Sequence, residues 1–138
     1  MHFVTGGAFN GKSKWVRTKF PEAKWISAYS GESESFPEEA EAPVVVLEGM
    51  EQWVKASANS REEWTKVLEK WLEWEQVDSS RYVIFIGTDI SKGIVPIEKE
   101  HRDWRDRTGW VYQDLVALCK QVDVIWYGIN QTIKEEVQ

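Results

Sequence analysis

The fold of this chain is decided near its N-terminus by the stretch Phe3-Val4-Thr5-Gly6-Gly7-Ala8-Phe9-Asn10-Gly11-Lys12-Ser13. The last eight of these residues match the pattern G-x-x-x-x-G-K-[ST], in which glycines let backbone amides turn inward around phosphate oxygens. An apolar strand leads into the loop, and the helix that follows would add the positive end of its dipole. The stretch therefore predicts a nucleotide-binding loop between a first strand and a first helix.

The loop supplies the candidate groups for phosphate chemistry. Lys12 would reach the β- and γ-phosphates, and the Ser13 hydroxyl would hold a magnesium ion. The expected ligand is ATP or GTP with Mg²⁺, since the sequence has no readable code for the base. We assign nucleotide binding to Gly6, Gly7, Ala8, Phe9, Asn10, Gly11, Lys12 and Ser13.

A magnesium nucleotide site also needs an acid at the end of a neighbouring strand. Glu48 directly follows the apolar run Val44 to Leu47, which is typical of a strand buried on both faces. Ligands bind outside the carboxyl ends of parallel strands. We therefore predict Glu48 as a metal ligand and catalytic residue, with Asp89, at the equivalent position after the next apolar run, as a second candidate.

The rest of the chain alternates strand-like and helix-like segments. Ser60 and Glu63 form a capping-box pattern before an amphipathic helix. Further helices are predicted over residues 12–20 and 98–120, and strands over 3–5, 24–29, 44–47, 82–86 and 122–127, with a short edge strand at 132–133. The alternation predicts one α/β domain over residues 1–138, a three-layer P-loop nucleotide-binding fold with a mostly parallel sheet.

Composition excludes several classes of protein. The net charge of −6 argues against a nucleic-acid binder, because phosphate backbones need clustered positive charge. No run of 18 apolar residues is present, so no membrane span is expected. With one cysteine, Cys119, the chain can form no internal disulfide, which fits a cytoplasmic location.

Several segments together resemble one family. The loop at residues 3–13, the acid-bearing strand end and following helix at 47–54, Gly93-Ile94-Val95-Pro96, the R-D-x-x-G segment that begins at Arg105, and the closing Gly128 to Lys134 occur in that family's order. The chain is similar to the bifunctional adenosylcobinamide kinase/adenosylcobinamide-phosphate guanylyltransferases of cobalamin biosynthesis. The resemblance implies a nucleoside triphosphate and a cobinamide-type corrinoid as substrates. Arg105 is a further catalytic candidate, which would neutralise transferred phosphate charge.

The chain also departs from the family pattern. The family's nucleophilic histidine belongs between the second and third strands, where this chain has only Gly31 to Pro43 and no histidine. Thr88-Asp89 replaces asparagine-glutamate, and Tyr112 replaces an asparagine. We therefore expect a phosphotransferase without guanylyl transfer. The alternative is a shortened paralogue that binds nucleotide without catalysis, as a sensor or partner subunit.

Nine tryptophans are unusual for 138 residues. Trp64 and Trp71, at helical spacing, are expected in the core. Trp74 and Trp110 are expected at the surface or in a subunit contact, so a homo-oligomer is predicted. Arg107 could bind phosphate or form a surface ion pair.

Overall fold

The computed structural model describes residues 1–33, 36–90 and 98–136. The strands are β1 (His2–Gly6), β2 (Lys24–Ser27), β3 (Val44–Glu48), β4 (Tyr82–Thr88), β5 (Gln121–Trp126) and β6 (Ile129–Glu135). The helices are α1 (Lys12–Lys19), α2 (Met50–Ala56), α3 (Arg61–Val77) and α4 (Lys99–Leu118). Short 3₁₀ turns cover Ala28–Ser30 and Pro37–Glu39. In the described part of the chain, no helix is both long and apolar enough to span a bilayer.

The six strands form one sheet in the order β2-β3-β4-β1-β5-β6. The first five strands of that order are parallel, and β6 pairs antiparallel with β5. This arrangement confirms the predicted α/β fold with a mostly parallel sheet. It also brings the carboxyl ends of β1, β3 and β4 to one edge, where Gly6 lies opposite Thr88 and Glu48 opposite Ile86.

Two apolar clusters, one on each face of the sheet, produce the three layers. Alternate residues of β1 point to opposite faces, as the period of two in a strand requires. Val4 packs with Val16 of α1 on one face, whereas Phe3 packs on the other face with the buried side chains of α2, α3 and α4. The phosphate loop therefore joins β1 to α1, which is the one helix on its face among the described residues.

Sequence signals located α3 well. Ser60 and Glu63 form the predicted capping box, and Trp64, Leu68 and Trp71 are buried against the sheet. Cys119 is free and buried, and burial raises the pKa of its thiol to about 12, so it packs as an apolar residue.

Three expectations about strands were wrong. We expected Glu48 on a strand adjacent to β1, but β4 lies between β1 and β3. We expected β2 to reach Tyr29, but it ends at Ser27, whose hydroxyl accepts the Tyr29 N–H at 3.2 Å and starts a 3₁₀ turn. The edge strand β6 has seven residues because backbone pairing with β5 holds it, while most of its side chains are exposed and give no apolar period.

Candidate functional site

Two glycines set the shape of the phosphate loop. Gly6 has φ +149°, and a Cβ there would lie 2.5 Å from the carbonyl oxygen of Ile125. Gly11 precedes α1 with φ +85°, and a Cβ there would lie 3.2 Å from Gly128 Cα. A side chain at either position would be strained, because L residues rarely adopt these conformations. The loop is thus held against the end of β5 and the turn that follows it.

Lys12 lies at the start of α1, within this loop. Its side chain is buried, and Nζ donates a hydrogen bond to the Gly7 carbonyl oxygen at 2.8 Å. Burial lowers the pKa of Lys12, while the nearby carboxylates of Glu51 and Glu48 oppose that shift. The ammonium therefore stands inside the loop, bonded to a neutral acceptor that a phosphate oxygen can replace.

Ser13 and Glu48 meet although they are 35 residues apart. The Ser13 hydroxyl donates a short hydrogen bond to Glu48 Oε2, and the Ser27 hydroxyl donates to Glu48 Oε1 at 2.6 Å. Ser27 and Glu48 are register partners at the ends of β2 and β3. A hydroxyl and a carboxylate are the oxygen ligands that Mg²⁺ takes beside phosphates. The pair fits the predicted metal ligands, even though β4 lies between β3 and β1, the strand that precedes the loop and Ser13.

The described residues form no second candidate metal site. Among them, no group of three or more His, Cys, Asp or Glu side chains could hold a metal ion. A magnesium ion held by Ser13 and Glu48 would complete its shell with water and phosphate oxygens. Asp89, the second candidate acid, is half-buried, and its backbone N–H donates to the Gly6 carbonyl oxygen at 2.8 Å.

A cavity of about 490 Å³ opens beside the loop. Phe9, Lys12 and Ser13 line it from the loop. Tyr29, Glu51 and Thr88 line it from the edge of the sheet. The cavity combines the buried cation of Lys12, the buried carboxylate of Glu51 and apolar walls, so it has room for a group beside bound phosphates.

Glu51 and Tyr29 were missed by the sequence analysis. Glu51 is 2% exposed, and its carboxylate accepts the Thr88 N–H at 2.9 Å and the Tyr29 hydroxyl. Burial raises the pKa of Tyr29, and the hydrogen bond to Glu51 raises it further. The sequence signal that could have identified Glu51 is its position three residues after Glu48, among the apolar residues of a short helix.

Tyr112 lies against the end of β4. Its hydroxyl donates to the Thr88 carbonyl oxygen at 2.8 Å, and its ring lies 4.9 Å from that of Phe3. Gly87 leaves the space, because a Cβ there would lie 2.3 Å from the Tyr112 hydroxyl. Burial raises the pKa of Tyr112, so this hydroxyl stays a donor.

Arg105 and Arg107, the two arginines of α4 considered for phosphate binding, have other partners. Arg105 forms an ion pair with Asp106 at 3.3 Å, and it is not among the described residues that line the cavity. Arg107 donates to the Ser57 carbonyl oxygen at 2.8 Å, at the carboxyl end of α2. Arg107 is therefore a helix-end contact, and a role of Arg105 in catalysis stays a prediction. Gly93-Ile94-Val95-Pro96 lies outside the described residues.

The two histidines lie at the start of β1 and on α4. His2 begins β1, at the opposite end from the loop, and its Nε2 lies 2.6 Å from Asp123 Oδ2. His101 is exposed on α4, 3.7 Å from Glu98. Neither residue is among the described residues that line the cavity.

Comparison with known proteins identifies a family. A search of curated proteins found no match. A model of the family described as cobinamide kinase / cobinamide phosphate guanyltransferase matches residues 25–133, which include Glu48 and Arg105 but begin after the phosphate loop. Because the match spans well over half of the 138 residues, the chain belongs to the cobinamide kinase / cobinamide phosphate guanyltransferase family.

Proposed function

We propose that this chain is a kinase that transfers a phosphoryl group from ATP or GTP to a hydroxyl of a cobinamide-type corrinoid. Its family is enzymatic and acts on nucleotide and cobinamide substrates in cobalamin biosynthesis. The observation that carries the proposal is that Lys12 and Ser13 line one cavity at the carboxyl edge of the sheet, with Glu48 hydrogen-bonded to Ser13. We also propose that it works in the cytoplasm as a homo-oligomer.

The roles follow from the contacts of each side chain. Lys12 exchanges its bond to the Gly7 carbonyl for the β- and γ-phosphate oxygens and neutralises charge during transfer. Magnesium bound by Ser13 and Glu48 would supply further charge neutralisation. Ser27 keeps the Glu48 carboxylate in place through its 2.6 Å hydrogen bond. Phosphoryl transfer depends mainly on such positioning and electrostatics.

The acceptor hydroxyl would enter the cavity between Phe9 and Thr88. The Tyr29 hydroxyl lies there, bonded to Glu51 and 3.3 Å from Thr88 Oγ1. An acceptor hydroxyl can join this network as donor or acceptor. Only the hydroxyl-bearing arm of a corrinoid would need to enter.

We propose that guanylyl transfer is absent. A covalent guanylyl intermediate on histidine needs an imidazole next to the α-phosphate. His2 is fully buried at the far end of β1, and His101 lies on α4 beside Glu98. Incubation with α-labelled GTP and magnesium, followed by denaturing electrophoresis at mildly alkaline pH, should leave the protein unlabelled. If wild type is labelled and His101→Ala is not, the protein transfers guanylyl groups through His101, and the proposal is wrong.

A second candidate is a paralogue that binds nucleotide without catalysis. It is favoured by Tyr112, which fills the space beneath Thr88 where the family has an asparagine. Turnover of γ-labelled ATP and GTP, with and without cobinamide, separates the two. Labelled cobinamide phosphate formed by wild type and not by Lys12→Ala supports the kinase. Nucleotide binding without label transfer supports the paralogue, and the absence of binding contradicts both.

A further inference from the structure

The turn between β5 and β6 is bonded to the phosphate loop. The Gly128 N–H donates to the Asn10 carbonyl oxygen at 2.8 Å, and the Tyr127 N–H donates to Asn10 Oδ1 at 3.4 Å. Gly11 packs so closely that a Cβ there would lie 3.2 Å from Gly128 Cα. The turn thus has a fixed position relative to any phosphate held by the loop.

Tyr127 has an unusual conformation in this turn. Its φ is +50°, in the left-handed region that bulky residues seldom adopt, and its side chain is 89% exposed. Ile129, two residues later, is 72% exposed. Burial does not explain a strained aromatic residue at this position, and such residues concentrate at ligand sites.

The position of the metal ligands orients the nucleotide. Glu48, bonded to Ser13, lies on the β3 side of β1, and β5 lies on the other side. If the terminal phosphates lie near Ser13 and Glu48, the direction away from Glu48 is left for the nucleoside end. That direction leads over the carboxyl end of β5, where Tyr127 lies.

We infer that the Tyr127 ring is the stacking surface for the nucleobase, with Ile129 extending the apolar surface beside it. This inference rests on the proposed binding of a nucleoside triphosphate at the loop. The backbone bonds to Asn10 favour this occupant over a second copy of the chain, because they tie the surface to the phosphate site. Stacking on an aromatic ring tolerates every base, so ATP and GTP would gain similarly.

The test compares a nucleotide with a ligand that has no base. The Kd values of Mg-ATP, Mg-GTP and magnesium tripolyphosphate are measured by calorimetry for wild type, Tyr127→Asn and Tyr127→Phe. Asparagine tolerates the left-handed conformation, so the turn keeps its shape while the ring is lost. Trp110→Ala, which removes an exposed aromatic ring from α4, is the matched control.

We expect Tyr127→Asn to weaken ATP and GTP about tenfold. Tripolyphosphate affinity should be unchanged, and Tyr127→Phe and Trp110→Ala should resemble wild type. Unchanged nucleotide affinity in Tyr127→Asn overturns the stacking role while leaving the phosphate site intact. An equal loss for tripolyphosphate overturns it too, because the turn would then act on the loop. A change of sedimentation without a change of affinity assigns the surface to contacts between copies. Wild type that binds neither ATP nor tripolyphosphate overturns the proposed function itself.

Discussion

The two ends of strand β1 place ionisable side chains in opposite settings. At its amino end, His2 and Asp123 are both fully buried, 2.6 Å apart. Asp123 also accepts hydrogen bonds from the side chains of Gln121, Asn130 and Thr132. At its carboxyl end, Lys12 and Ser13 border an open cavity, and Glu48 is hydrogen-bonded to Ser13.

The contrast separates a structural polar cluster from a site that can bind a ligand. Asp123 has strong donors on both oxygens and no access to solvent, so its network holds β5 and β6 to β1. Lys12 donates to a neutral carbonyl, which a charged phosphate outcompetes. Changes at the amino end should therefore alter stability, and changes at the carboxyl end should alter nucleotide affinity.

The largest expected effect is that of His2→Ala on stability. The variant leaves a cavity beside Trp15, Phe20 and Tyr82 and removes one donor from buried Asp123. The free energy of unfolding in urea should fall by about 3 kcal/mol. Exposed His101→Ala is the control and should change it by less than about 0.5 kcal/mol. A large loss of nucleotide affinity in folded His2→Ala would contradict the separation of the two ends.

Lys12→Ala should weaken Mg-ATP and Mg-GTP about 100-fold, because charge-assisted bonds to phosphate are lost. Its unfolding free energy should change little, since Lys12 loses only one hydrogen bond to a backbone carbonyl. Lys19→Ala, at the other end of α1, is the matched control and should bind like wild type. Unchanged affinity in folded Lys12→Ala would remove the basis for assigning the nucleotide site.

Sequence patterns predicted those features of the fold that depend on residues close together in the chain. The loop glycines, the capping box of α3 and the apolar runs of β3 and β4 each depend on neighbouring residues. The order of the strands depends on how the crossing helices pack, so the insertion of β4 between β1 and β3 was not predicted.

The hydrogen-bond partners of buried polar residues could not be predicted from the sequence either. Asp123 interrupts an apolar run, and its partner His2 lies 121 residues away. From the sequence alone, Glu51 is a surface acid on a short helix. The structure shows that Thr88 and Tyr29 donate hydrogen bonds to it. Glu48 was predicted because a carboxylate directly after a buried strand needs no distant partner to be recognised.

Glu48→Gln sharpens the assignment of the acid at the carboxyl end. The amide keeps the volume and can still bond Ser13 and Ser27, but it loses the charge that attracts magnesium. Affinity for Mg-ATP should fall about tenfold, whereas affinity for ATP in EDTA should be unchanged. Asp89→Asn is the matched variant and should affect neither. A larger loss in Asp89→Asn than in Glu48→Gln would transfer the metal role to Asp89.

The smallest expected effect is a loss of stability in mild acid, caused by the amino end. Burial lowers the pKa of His2 in the folded chain, although the hydrogen bond and charge of Asp123 oppose that shift. The unfolded chain has a histidine pKa of about 6.5, so it takes up this proton more readily than the folded chain. Acid therefore favours unfolding, and stability is lost as the pH falls through about 6.5. Between about pH 7.5 and about pH 5.5 the free energy of unfolding should fall by about 1 kcal/mol. Urea denaturation of wild type and His2→Gln at both pH values measures this, and the glutamine variant should lack this part of the slope. If the wild type instead gains stability on acidification, folded His2 takes up a proton and forms an ion pair with Asp123. The amino end of β1 would then be a site that titrates in the folded protein.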